Sequence, residues 1–188
     1  MLLIFDEIPS ALGRTGKMFV CEHFDVEPDM LVIGKGLGGG VFPMAALLAN
    51  DNLDIVEDKA LGHYTHEKSS VGCAAALATI DCLIEDGLLN NAVTLGNLGL
   101  EQLEGLKLKY PIIHEVRGLG LFYGIDLKLN NQPATDQADA ILYHSLSNGL
   151  SYKVGGGSIL TLCPPLTINN DELTHAFSII ENGINSLN

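Results

Sequence analysis

Basic residues are scarce in this chain. Ten lysines and arginines stand against 23 aspartates and glutamates, a formal net charge of -13 at pH 7. Such a surplus repels nucleic acid phosphates and anionic lipid surfaces, so neither partner class is expected. Long hydrophobic runs are missing as well: none approaches the roughly 20 residues that a membrane-spanning helix needs. The opening MLLIFDE turns acidic too early for a secretory leader, and the expected compartment is the cytoplasm. The cysteines Cys21, Cys73, Cys82 and Cys163 lack CxxC spacing, which speaks against a zinc site or a disulfide framework. They read as reduced, mostly buried thiols. No internal repeat is found.

What is present is apolar matter in short runs. At 188 residues and 47% hydrophobic content the chain can build one large or two small globular domains. Leu2-Leu3-Ile4-Phe5 reads as a fully buried parallel strand with neighbours on both faces. A domain rarely begins on such a strand. The expectation is therefore the C-terminal portion of a longer protein, or a partner chain that supplies the preceding half.

Met30–Ile33 and Met44–Ala49 read as two more buried strands, and the alternation favours an α/β layer architecture. The alanine-rich stretch Val71–Ile84 predicts a buried helix ended by Gly87. A second helix over about 89–109 carries Leu95, Leu98, Leu103 and Leu106 on one face and stops at Pro111. It is expected to link two domains. Beyond it, Glu115–Leu127 has strand composition punctuated by glycine, followed by a helix near 135–148 and strands at 150–154 and 158–163. Asn169 or Asn170 caps a last helix whose Leu173, Phe177, Ile180 and Ile184 recur at helical spacing.

Two residues stand out chemically. Lys35 follows the second strand and is itself followed by Gly36, Gly38, Gly39 and Gly40, a pattern that brings backbone close to a ligand and places an amine where desolvation can activate it. Asp6 ends the first strand 29 residues earlier, about the length of one crossover between parallel strands. Ligands of open parallel sheets bind at the carboxyl ends of the strands, so carboxylate and amine would share one crevice. That pair suits pyridoxal 5'-phosphate, whose aldehyde needs a lysine Schiff base and whose pyridine nitrogen needs a carboxylate to stay protonated. The plain alternatives are a strand-end carboxylate and a solvated lysine. A phosphate loop is a sharper rival, because Leu3–Glu7 resembles a Walker B segment. Within the chain it fails: Gly36 stands where Ser or Thr should bind magnesium, and Asp29 occupies the place of the first glycine. A loop upstream of Met1 keeps an ATPase as an alternative. His63, His66 and Glu67 lack the spacing and number of a zinc site, and no metal is expected.

Phe5-Asp6-Glu7-Ile8, Gly13–Phe19, Gly34–Gly40, Val116–Leu121 and Pro164–Ile168 together resemble, in this order, the C-terminal half of class III (ornithine/4-aminobutyrate type) aminotransferases. The resemblance covers essentially the whole chain. It implies an α/β fold-type I pyridoxal phosphate transferase, with residues 1–100 as part of the cofactor-binding large domain and 101–188 as a small α+β domain. It implies Lys35 as the Schiff-base lysine, Asp6 as partner of the pyridine nitrogen, Ile8 as the apolar residue against the ring, and Thr65 as a phosphate ligand reaching into a neighbouring subunit of a homodimer. Substrates would be an amine or amino acid and a keto acid. Three positions depart from the family. Pro9 replaces a glutamine, Thr161 replaces an arginine that grips substrate carboxylates, and His66–Ser70 replaces Phe-Gly-Gly-Asn-Pro, a variant associated with amine-directed, lyase or racemase offshoots. The family's upstream phosphate loop and ring-stacking aromatic are absent from this sequence. A lyase or racemase on the same scaffold, and a non-catalytic association fragment, are the alternative readings.

Overall fold

The computed structural model describes residues 1–56, 59, 65 and 69–187. They form two compact units, Met1–Gly13 with Lys17–Leu89, and Arg14–Gly16 with Asn90–Asn188. The boundary at Leu89–Asn90 lies on the N-terminal side of the division expected after residue 100.

In the first unit β1 (Ile4–Asp6), β2 (Met30–Ile33) and β3 (Ala46–Ala49) make a three-stranded sheet in that order. β1 and β2 run parallel, with Asp6 beside Val32. Asp29 fixes this register at the strand entry: its Oδ2 accepts the Leu3 N–H at 2.7 Å and its own N–H donates to Leu3 O at 2.9 Å. β3 returns antiparallel to β2. A third parallel strand would need a crossover over a face of the sheet, whereas residues 34–45 turn back through a 3-10 turn, Lys35–Gly38, and the left-handed Gly39 and Gly40 (φ +64° and +74°).

Burial in this unit differs from expectation. β1 is an edge strand, and Leu2, Leu3 and Ile4 are about half exposed because only β2 flanks them in this sheet. β3 is largely exposed too. α1 (Ser70–Glu85) forms where alanine content predicted it, capped by Ser69, whose Oγ accepts the Gly72 N–H at 3.3 Å, and followed by left-handed Gly87. Only a narrow stripe of it, Gly72, Ala76 and Leu83, is buried. Gly72 makes this contact possible: a Cβ there would fall 2.9 Å from Met44 Sδ. Cys73 and Cys82 lie on the uncovered faces of α1, Cys163 is exposed and Cys21 is half-buried, so the thiols are not the buried set the sequence suggested.

Glu7 is the buried anchor of this unit, 3% exposed. Its two carboxylate oxygens accept the N–H groups of Val20 (2.7 Å) and Cys21 (2.9 Å), the first residues of a 3-10 turn over Val20–His23. Helix starts leave such N–H groups without partners, and an anion there satisfies them. Burial, with the Glu7 charge second, pushes the neighbouring Cys21 thiol pKa up.

The second unit is an antiparallel sheet, β4 (Ile113–Gly118), β5 (Tyr123–Leu129), β6 (Gln132–Pro133), β7 (Lys153–Gly155) and β8 (Ile159–Leu162), in the order β4-β5-β8-β7 with β6 on β5. The single glycine-punctuated run expected over 115–127 is two strands, because left-handed Gly120 folds the chain and the Leu119 N–H donates to Phe122 O at 3.1 Å. Alternation along β5 buries Tyr123, Ile125 and Leu127. α2 (Leu88–Lys109), α3 (Thr135–Ser147) and α4 (Asn170–Asn185) contribute Leu95, Leu103, Ile141, Phe177 and Ile180 to the same core. Asn169 caps α4 reciprocally with Glu172: Asn169 Oδ1 accepts the Glu172 N–H at 2.9 Å, and Glu172 Oε2 accepts the Asn169 N–H at 3.0 Å. Gly96 and Gly99 lie mid-helix in α2 despite their poor propensity. A Cβ on Gly96 would sit 2.6 Å from the Gly120 backbone, and one on Gly99 would strike the Tyr123 hydroxyl.

The Arg14–Gly16 segment packs in this unit. Arg14 donates from Nη1 to Leu121 O at 3.1 Å and to Pro164 O, while the Leu121 N–H donates to Arg14 O at 3.0 Å. Burial pulls the Arg14 guanidinium pKa down. Among the described residues no helix is long and apolar enough to cross a membrane.

Two outcomes are expected. Glu7→Gln keeps one acceptor oxygen and turns a donor toward a buried N–H, and should lower unfolding free energy by about 1–3 kcal/mol in chemical denaturation. Tyr123, buried and donating to Leu95 O at 3.1 Å, has its phenol pKa pushed up to about 12 by burial. An acid whose folded pKa is raised favours folding below its unfolded value and loses that contribution as pH climbs through the folded one. Denaturation curves of Tyr123→Phe should therefore show a shallower decline in stability between pH 10 and about pH 12 than the wild type, with the remainder due to Tyr152, whose phenol pKa burial also pushes up.

Candidate active site

β1 and β2 end side by side because they are parallel. Their register pairs Ile4 with Met30, Phe5 with Leu31 and Asp6 with Val32, and the Glu7 N–H extends the ladder to Val32 O at 2.9 Å. The chain then leaves both strands at the carboxyl edge. Asp6 is exposed there. The Ile8 N–H donates to its Oδ1 at 3.1 Å, a local bond that holds the carboxylate against its own turn.

On the neighbouring strand, Gly34 continues in extended conformation and Lys35 opens the 3-10 turn at φ +47°. A left-handed backbone at a side-chain-bearing residue costs on the order of 1 kcal/mol and is commonest where function fixes it. The Leu37 N–H closes this turn on Gly34 O at 3.1 Å and the Gly39 N–H on Gly36 O at 2.9 Å. Ile8 lies against the base of the turn: a Cβ on Gly34 would meet Ile8 Cγ1 at 3.7 Å and Ala45 Cβ at 3.5 Å. Asp6, Ile8 and Lys35 are thus gathered at one strand edge. Lys35 is solvent-exposed, so the burial expected around its amine is not supplied by the described residues.

Thr65 lies in a turn and is exposed. The histidines and carboxylate weighed as metal ligands, His63, His66 and Glu67, are outside the described residues, as is most of the segment around Thr65. Sequence reasoning gave Glu7 no role. The signal was present but diffuse: an acid one residue past a strand end, with the turn whose N–H groups it satisfies 13 and 14 residues away.

The family model for class-III aminotransferases matches residues 1–184. An (R)-1-hydroxy-2-aminoethylphosphonate ammonia-lyase of Vibrio splendidus is 44% identical over 187 residues, 98% of this chain and 39% of that protein. Ornithine aminotransferase 1 of Staphylococcus saprophyticus is 38% identical over 180 residues, 96% of this chain and 43% of the relative. Among solved structures, the acetylornithine aminotransferase of Elizabethkingia anophelis superposes with a TM-score of 0.90 at 36% identity, over 99% of this chain and 48% of that one. The chain therefore spans less than half the length of these relatives. Matching across its sequence, its strand-end motifs and its fold, the chain belongs to the class III aminotransferases.

Proposed function

We propose that this chain is the lysine-bearing portion of a pyridoxal phosphate-dependent aminotransferase that moves an amino group from an amine or amino acid to a keto acid. The observation that carries this reading is the parallel β1–β2 register, which opens Asp6 and Lys35 at one sheet edge. The donor set there fits the cofactor. A primary amine, Lys35 Nζ, stands where an aldehyde can be held; a carboxylate, Asp6, can keep a ring nitrogen protonated; and Ile8 offers an apolar contact for the ring. Thr65 is assigned to the phosphate of the cofactor in a second copy, which makes the working assembly a homodimer.

Bound at Lys35, pyridoxal phosphate supplies a protonated ring that accepts the electron pair left when the substrate carbon loses a proton. The protein's part is positioning and proton transfer. With the cofactor held there, Lys35 Nζ would take the proton from the substrate carbon and return it elsewhere, a general base and then a general acid. Asp6, its Oδ1 held by the Ile8 N–H, would be the carboxylate that keeps the ring nitrogen protonated.

A lyase is the second reading. It is supported by the Vibrio relative, whose name is that of an ammonia-lyase, and by Thr161 where many class III members carry an arginine for a carboxylate. The two part company after proton removal, so turnover that requires a keto acid marks the transferase and turnover without one marks the lyase.

Reconstituted with pyridoxal phosphate, the whole chain should show a protein-bound visible absorbance band that falls by about tenfold or more in Lys35→Ala. An unchanged band in that variant contradicts the role of Lys35. Stable dimers on size exclusion that take up no cofactor would instead support an association fragment.

A further inference from the structure

Among the described residues, five other than glycine have a left-handed backbone: Leu12, Asp25, Lys35, Asn130 and Asn131. Aspartate and asparagine tolerate that region through their short polar side chains. Leucine and lysine do not, and Leu12 (φ +59°) and Lys35 (φ +47°) stand at the same place in the first unit. Gly36, next to the lysine, is the point of contact: a Cβ built on it would lie 3.8 Å from Leu12 Cδ1. Leu12 and Leu37, on either side of that contact, are both buried.

The backbone at Leu12 is fixed from both directions. The Ser10 and Ala11 N–H groups donate to Glu7 O at 3.1 and 2.9 Å, and the Leu12 N–H donates to Met18 O at 2.7 Å. Glu7 is itself tied to β2 through its N–H on Val32 O. Leu12 is thus anchored to the strand that carries Asp6. Gly13 follows in the left-handed region at φ +83° with no Cβ to strain it. A glycine at position 12 would hold the same turn with less strain. What leucine adds is a side chain, and that side chain reaches the turn of Lys35.

The same choice recurs at Lys35. Glycine stands on both sides of it, yet the left-handed residue is the lysine. Strained backbone of this kind persists only where its surroundings over-determine it. The ends of the turn have other supports: Ile8 lies at Gly34, Met44 at Gly38, and Thr79 of α1 at Gly39, where a Cβ would fall 2.8 Å from its Oγ1. Leu12 supports the middle, directly beside the lysine.

We propose that Leu12 is a positioning residue for Lys35: its side chain, set by its own left-handed backbone, holds the lysine turn in the conformation from which Nζ leaves the sheet edge. The proposal rests on the reading of Lys35 as the cofactor lysine. Without the Leu12 side chain, Lys35 relaxes from φ +47° to the negative values that L residues ordinarily take, and its Cβ and amine leave the turn in another direction.

The test uses the whole chain. Leu12→Gly leaves the turn at residue 12 unstrained and removes only the side chain, so a role confined to that turn predicts no change at Lys35. The three-bond HN–Hα coupling and the Cα and Cβ chemical shifts of Lys35, measured by NMR without cofactor, report its φ. In Leu12→Gly they should move to values of a negative φ, and in Leu12→Met, which restores an apolar side chain of similar volume, they should stay at the wild-type position. Leu12→Ala is expected to act like Leu12→Gly and replaces it if circular dichroism shows the glycine variant unfolded. After addition of pyridoxal phosphate and borohydride, the share of adduct on Lys35 should fall about fivefold or more in Leu12→Gly and recover in Leu12→Met. Lys35 couplings unchanged in both Leu12→Gly and Leu12→Ala, or an unchanged adduct share where the couplings move, overturn the proposal. A wild-type chain with no adduct on Lys35 overturns the cofactor reading and the proposal with it, and is seen before any variant is compared.

Discussion

The parallel ladder between β1 and β2 is the constraint on which the candidate site depends. In an antiparallel pair, Asp6 and Lys35 would leave the sheet at opposite ends. With Asp6 set beside Val32, both residues emerge at one edge, and Asp29 at the strand entry holds that register through two bonds to Leu3. The sequence around Asp6 divides its labour by side chain. Asp6 remains outside with Ile8 N–H on its carboxylate, while Glu7 turns inward and ties down the turn at Val20. One short segment therefore leaves the Asp6 carboxylate exposed at the sheet edge and secures the connection that leads to β2.

Glycine serves two different ends in the two units. Around Lys35 it permits the chain to turn: Gly39 and Gly40 take left-handed conformations that send β3 back along β2, and Gly34 leaves room for Ile8 and Ala45. In the second unit it permits close approach. Gly96 and Gly99 cost helix propensity but admit the Gly120 turn and the Tyr123 ring, and Gly124 on the opposite face lets Arg117 lie across the sheet. The conformational cost of these residues is offset by contacts that any Cβ would block.

Much of this was legible in the sequence where local chemistry and tertiary context agree. Asn169 or Asn170 read as the cap of α4, and it is Asn169; Gly87 ended α1, and the apolar periodicity of α4 named its buried face. The strand-end positions of Asp6 and Lys35 followed from run lengths alone. Burial was read less well. An alanine-rich helix and three apolar strands suggest an interior, yet α1 and β1 are covered on one side only, since burial depends on neighbours that periodicity does not specify. The direction of β3 was not legible, because its apolar content is the same for either orientation.

The central claim is that Lys35 is the residue to which the cofactor attaches. Its most direct test is borohydride reduction of the whole chain in the presence of pyridoxal phosphate, followed by peptide mass mapping. The account predicts the reduced cofactor adduct on Lys35 in preference to every other lysine. An adduct spread evenly over Lys17, Lys107, Lys109, Lys128 and Lys153, or absent from Lys35, would contradict it.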